Sequence, residues 1–178
     1  MRASKIIVIS AVAVAMLSLW GCGSSSKSEK GEQSKEIPKF EVVGFDGKKY
    51  SSKMFRRGVG IISFVTSWCG PCGYELVELD SLAKKFGKKV SVLALTYESP
   101  DLFKRMLDSL KVCVPIARCD TALFAEFGVD RLPARFLVKD GRVIATVVGA
   151  PAPPDTHFTS SLLIAVGYQP DSAGGDKR

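Results

Sequence analysis

Histidine is almost missing, with His157 the sole one in 178 residues. A tetrahedral zinc site needs four ligands, and beyond the close pair Cys69 and Cys72 the chain offers Cys113 and Cys119, which are not spaced as a second metal clip. Zinc would need an unusual assembly, so neither a metal nor a cofactor is expected. Also missing is an apolar run of the roughly 20 residues that a spanning helix needs, the longest being residues 6–20. Clustered positive charge is absent too. Lys plus Arg number 25 against 18 Asp plus Glu, a net charge of +7, yet the basic residues come as scattered pairs, Arg56-Arg57, Lys84-Lys85 and Lys88-Lys89. Nucleic-acid binding wants such charge gathered on one face with aromatics interleaved, so the basic residues read as a solvated surface and no nucleic-acid partner is expected.

Residues 23–37 hold a single hydrophobic side chain, Ile37. That is too little to offset the entropy of ordering, and the stretch reads as a flexible tether. Ahead of it, Arg2 and Lys5 precede the apolar run and then small residues, the pattern of a signal peptide. Leu19, Trp20, Gly21 and Cys22 resemble the lipobox of bacterial lipoproteins, although Trp20 is bulkier than that pattern usually carries. The resemblance implies that residues 1–21 are removed, that Cys22 is lipidated, and that residues 22–39 tether a folded part facing the periplasm of a bacterial cell envelope. An uncleaved anchor with an incidental cysteine is the alternative. Disulfides form and persist in such a compartment, so the four remaining cysteines are read first as redox chemistry.

The length suits one well-packed domain rather than two, placed at residues 40–168 with a disordered tail at 169–178. "FEVVGFDGKKYSS" reads as two short strands about the Asp46-Gly47 turn. "GVGIISFVTSW" is a continuous apolar run, as expected of a strand buried on both faces. From 71 to 86, Leu76, Leu79, Leu82, Ala83 and Phe86 recur at helical spacing with lysines at the end. "KVSVLALTY" reads as a strand, "SPDLFKRMLDSLK" as a helix and "CVPIARC" as a short extended segment. A short helix over 121–127, a hairpin "ARFLVKDGRVIATVVG" turned at Asp140-Gly141 and a last helix over about 155–166 complete the chain. Strands alternating with helices and closing on a hairpin give an α/β fold with a mixed sheet.

The chemistry gathers at "TSWCGPCGYELVEL". A thiolate at a helix N-terminus faces backbone N–H groups without partners and the positive end of the helix dipole, which lower a cysteine pKa, in favourable cases to roughly 3.5–7.5. Cys69 sits there, and Cys72 follows one turn along the same face, close enough for a disulfide. Pro71 suits an early helical position, where its missing N–H costs nothing.

Trp68, Cys69, Gly70, Pro71 and Cys72 match the signature of the thioredoxin superfamily, and "RLPARFLV" resembles that family's cis-proline strand, with Pro133 as the proline. The resemblance extends to its TlpA and ResA-like branch, membrane-tethered extracytoplasmic thiol-disulfide oxidoreductases with an added helix and strand, for which "SPDLFKRMLDSLKVCVPIA" has the length and the place. It implies a thioredoxin-like fold whose central mixed sheet is flanked by helices and carries that insertion. It further implies a redox-active disulfide between Cys69 and Cys72, with Cys69 attacking and Cys72 resolving. Trp68, Gly70, Pro71, Leu132 and Pro133 would meet the partner polypeptide, the last two also keeping metals off the thiols. Glu75, three residues after Cys72, stands where ResA-like proteins have a glutamate that tunes the cysteines, and it would take or return the Cys72 proton. Ordinary thioredoxins place a buried carboxylate on the preceding strand, where this chain has Ser63. A proline that many members carry five residues after the second cysteine is replaced by Val77, which suggests a straighter helix.

Cys113 and Cys119 are left open. Six residues of extended strand reach roughly 20 Å, beyond the ~7 Å Cα separation of a disulfide, so they pair only if the segment bends back at Pro115. His157 reads as solvent-exposed. The expected activity is a lipid-anchored disulfide reductase with extracytoplasmic cysteine-containing partners and a membrane thiol donor. A redox-inert binding lipoprotein and a Sco-like copper chaperone are the competing readings, the latter disfavoured because no histidine precedes the late strand.

Overall fold

The structure is a computed structural model that describes residues 35–149 and 156–167. The signal peptide, the Cys22 lipidation site, most of the tether and the tail at 169–178 lie outside the described residues. Those described belong to one compact unit, Ser34–Arg178.

The elements follow the chain as β1 (Glu41–Gly44), β2 (Lys49–Ser51), a 3₁₀ turn (Ser52–Phe55), β3 (Val59–Phe64), α1 (Gly70–Phe86), a second 3₁₀ turn (Gly87–Lys89), β4 (Val90–Thr96), α2 (Pro100–Leu110), β5 (Ile116–Arg118), α3 (Thr121–Phe127), β6 (Ala134–Lys139), β7 (Arg142–Val148) and α4 (Thr156–Ala165). Seven strands form one mixed sheet in the order β2-β1-β5-β4-β3-β6-β7. β3, β4 and β5 run parallel, and the strands outside them pair antiparallel. Helix α2 and strand β5 occupy the place expected for the inserted helix and strand.

β3 shows how the sequence dictates the layers. All six of its residues are buried, and because side chains alternate between sheet faces they feed two cores. Val59 and Ile61 join Leu76 and Leu79 of α1, Phe103 of α2 and Leu162 of α4. Ile62 and Phe64 join Phe124 and Phe127 of α3. Gly60 is required where it stands, since a Cβ there would lie 2.2 Å from Phe55 Cδ1. The Asp140-Gly141 turn has both residues at positive φ, 50° and 80°, the two-residue turn that matches strand twist.

Residues ahead of Phe40 already pack on the domain. The Ile37 side chain is buried, its N–H donates to Gly141 O at 3.0 Å and Lys35 O accepts from Val143 N at 2.8 Å. Polar composition concealed a short run that adds backbone hydrogen bonds to the start of β7.

Phe64 is fully buried with its ring 4.7 Å from that of Phe124, 5.0 Å from Phe127 and 5.8 Å from Phe136. Phe64→Ala is expected to lower the free energy of unfolding by about 3–5 kcal/mol, seen as a lower urea midpoint at unchanged slope. A loss below ~1 kcal/mol would mean that this cluster does not close the α3 face.

Candidate redox site

The sheet delivers its parallel centre to the start of α1. β3 ends at Phe64, and the chain crosses Thr66 to Trp68 before α1 begins at Gly70 with Cys69 as N-cap, φ −83° and ψ 102°, and Pro71 in the first turn. Cys69 and Cys72 form a disulfide with Cα atoms 5.3 Å apart, and Cys72 N–H donates to Cys69 O at 2.9 Å. Their burial differs. Cys72 is fully covered, whereas Cys69 keeps 7% of its surface beside Gly70 and Pro71, which are exposed. No side chain caps this helix end, so the positive end of its dipole faces a Cys69 thiolate when the bond is reduced.

The rim around Cys69 is held from a neighbouring loop. Ser67 donates from N and Oγ to the buried Glu98 at 2.5 and 2.9 Å. Trp68 is 68% exposed, its indole N–H donating to Tyr97 Oη at 3.1 Å. On the other side the Leu132-Pro133 bond is cis, as the motif implied. Leu132 packs on the cluster that contains both cysteines, Ala134 pairs opposite Phe64, and Pro133 O accepts from Gly149 N at 2.7 Å.

Beneath the cysteines lies a buried charge network that the sequence reading found only in part. Glu75 is 4% exposed and is not a lone carboxylate facing Cys72. Its Oε1 accepts from Arg135 Nε at 2.8 Å and Ser63 Oγ at 2.6 Å, and its Oε2 from Arg135 Nη2 at 2.5 Å. Arg135 also donates from Nη1 and Nη2 to Glu78 at 2.8 and 2.7 Å and lies 5.1 Å over the Phe158 ring. Burial pulls the Arg135 guanidinium down, but its hydrogen bonds to Glu78 and Glu75 more than reverse this and set its pKa above the ordinary arginine value. The position where thioredoxins carry a strand carboxylate here supplies a hydroxyl, Ser63, that donates to the helix carboxylate. Glu78, Glu98 and Arg135 were missed. One signal was available: an arginine two residues after Pro133, inside a strand otherwise apolar, must find anions.

Cys113 and Cys119 are both free thiols, the first exposed and the second buried, so the segment between them does not bend back. Cys119 lies in the α3-side core, where burial, with some help from Asp120, pushes its thiol up to about 12, inert at neutral pH. Cys113 leads into β5, its N–H donating to Asp80 Oδ1 at 2.8 Å. His157 is exposed in α4, as expected.

Residues 34–147 match the model of the AhpC/TSA family. The chain belongs to that family. It is similar to the thiol-disulfide oxidoreductase ResA of Bacillus cereus, 34% identical over 131 residues that make up 71% of this chain and 76% of that protein. The crystal structure of a putative thiol:disulfide interchange protein DsbE from Chlorobium tepidum superposes with a TM-score of 0.68 at 22% identity, covering 75% of this chain and 97% of that one. The exposed lipoprotein thioredoxin of Streptococcus pneumoniae superposes at 0.60 with 23% identity, covering 74% and all 100% of the respective chains. At those identities the structural neighbours bear on the fold. Together with the ResA relative and the Cys69–Cys72 pair, they place the chain among the thioredoxin-like, ResA-like thiol-disulfide oxidoreductases.

Removing one partner of a buried ion pair leaves an uncompensated charge, at a cost of about 3–5 kcal/mol. Arg135→Met is therefore expected to destabilise by that amount in denaturant titration, and adding Glu75→Gln should recover a clear part of it, because the pair couples. Strict additivity of the two substitutions would show that the guanidinium and Glu75 do not depend on each other.

Proposed function

We propose that this protein is a membrane-tethered, extracytoplasmic reductant of disulfides in partner proteins, working through the Cys69–Cys72 dithiol. The observation that carries the reading is the unequal pair at an uncapped helix N-terminus, Cys69 keeping 7% of its surface open to solvent and Cys72 none. Its location outside the cytoplasm rests on the lipobox-like Cys22 and is supported by a structural neighbour that is itself an exposed lipoprotein.

In the reaction the Cys69 thiolate attacks one sulfur of the partner disulfide. The partner S–S bond breaks, its second sulfur leaves as a thiolate and takes a proton, and a mixed disulfide joins Cys69 to the partner. Cys72 then loses its proton and attacks Cys69 Sγ, which releases the remaining partner sulfur and forms the Cys69–Cys72 disulfide. Two electrons have passed to the partner, and a membrane thiol donor returns them. Trp68, Gly70 and Pro71, all exposed, form the surface that meets the partner chain, with the half-buried Leu132 and the buried Pro133 at its edge. Glu75, held by Arg135 and Ser63 one turn beyond Cys72, receives the Cys72 proton through the lone pair that these donors leave over.

Cys72→Ser should accumulate mixed disulfides between Cys69 and its partners in cells, and Cys69→Ser should accumulate none. A purified reduced domain that neither reduces insulin nor exchanges with glutathione would return the protein to a redox-inert binding role.

Glu75→Gln is expected to preserve mixed-disulfide formation while slowing resolution roughly tenfold or more. That is below the ~10²–10⁴-fold range of general acid-base groups, because water also accepts protons. The pH profile should change as well. Glu78→Gln removes another acceptor of Arg135 without touching the proton route, and serves as the control. Superimposable stopped-flow profiles for Glu75→Gln and the unmodified protein would reduce Glu75 to a structural partner of Arg135.

A further inference from the structure

The basic pairs scattered along the sequence converge in space. Val59 at the start of β3 lies opposite Val90 at the start of β4 and Lys139 at the end of β6, and Lys139 lies opposite Arg142. This row is the end of the sheet remote from Cys69. Arg56 and Arg57 immediately precede it, seated on the β6–β7 hairpin by hydrogen bonds between Asp140 N and Gly58 O and between Gly58 N and Asp140 Oδ1, each 2.9 Å. Helix α1, which starts at the cysteines, brings Lys84 and Lys85 to the same end in its last turn, and Lys88 and Lys89 follow in the turn before β4. Arg56, Arg57, Lys85, Lys88, Lys89 and Lys139 are all exposed. Among the described residues, no ion pair engages the first five. Against them stand Asp140, which already accepts from Gly58; Glu36, opposite Arg142; and Glu41, which shares a surface pocket with Arg56 and with the further lysines Lys39 and Lys53. The α1 dipole explains lysines in its last turn but not Arg56, Arg57 or Lys139.

A second observation concerns where the chain enters. Lys35, Glu36 and Ile37 bond to the hairpin at this same end, Lys35 through Val143 N and Ile37 through Gly141 O. Cys22 stands 13 residues earlier in the chain, a reach of at most about 45 Å. A neutral domain on such a leash would present any face to its anchor. Here the face at the leash is the basic one.

We propose that this basic pole docks on an anionic phospholipid bilayer, holding the Cys69–Cys72 site at the far end of α1, about 25 Å of helix away from the lipid. The attraction acts within a Debye length, roughly 10 Å, so it orients a domain that the anchor has already brought close. The physiological setting rests on the anchored reading above. The surface chemistry does not, and the two are tested apart.

The probe is a chain beginning at residue 23, which lacks the lipid but retains the whole unit Ser34–Arg178 and both cores, formed by residues from Ile37 onward. It is sedimented with vesicles rich in phosphatidylglycerol and with vesicles of phosphatidylcholine alone. We expect binding to the first only, weakening as salt rises. Since each basic residue near an anionic surface multiplies partitioning by about fivefold, Lys88→Gln with Lys89→Gln should cost roughly 25-fold, and Arg56, Arg57, Lys88 and Lys89 all changed to Glu at least several hundredfold. A charge-matched control, Lys49, Lys104, Arg105 and Arg118 all changed to Glu, should bind much as the parent does. Each variant should still reduce insulin, showing an intact fold and site. No binding to anionic vesicles, equal losses in both charge-reversed sets, or tighter binding to a DNA duplex than to the vesicles would each overturn the proposal. Separately, a radioactive fatty acid fed to cells should label the full chain and not its Cys22→Ala variant. If the full chain takes up no label, or the variant takes up as much, the lipidation reading fails while the vesicle result still stands or falls alone.

Discussion

Strand β3 has no solvent face, and that constraint organises the molecule. A six-residue run with every side chain buried must be covered on both sides, so α1, α2 and α4 lie over one face and α3 over the other. The same run fixes where reactivity can appear. A strand sealed on both faces opens to solvent only at its ends, and in a sheet with parallel strands at its centre the C-terminal ends are where loops and helix N-termini meet. Cys69 is the N-cap at which the loop after β3 turns into α1.

The Arg135 network joins the two elements that flank this opening. Glu75 and Glu78 come from α1, Arg135 from the strand that follows the cis proline, and Ser63 from β3 itself. An apolar replacement of such a trio is often neutral or stabilising, so burial of these charges is weak grounds for a stability role. Its geometry is better understood as registration. A bidentate guanidinium tolerates little rotation, and one that grips two successive turns of α1 sets how that helix lies against β6, hence how Cys72 lies relative to Pro133.

Charge is divided between the ends of the domain. Near the cysteines buried charge is paired, as in Glu75 with Arg135, or hydrogen-bonded, as in Glu98 with Ser67. At the opposite end charge is exposed and mostly positive. Interactions at the first end are strengthened by a dry surrounding, while those at the second are screened by salt and act only on a highly charged neighbour.

Much of this was legible in the residues because much of it is local. The apolar run of β3, the helical spacing after Pro71, the Asp140-Gly141 turn and the 121–127 helix depend on neighbours within a few positions, and the structure has each of them where the sequence placed it. The Trp68–Cys72 motif and Pro133 were legible as chemistry for the same reason. Other features were not. Whether Cys113 meets Cys119 depends on the direction of the chain between them. That Glu75 is gripped by Arg135 depends on a contact across 60 residues. That Arg56, Lys88 and Lys139 share one pole depends on strand register, which pairs Val59 with both Val90 and Lys139. Local sequence determined which elements form and placed Cys69 and Cys72 within reach of each other. Only the packing of the sheet decided which distant charges become neighbours, because electrostatic partners are chosen by proximity in space and not by separation along the chain.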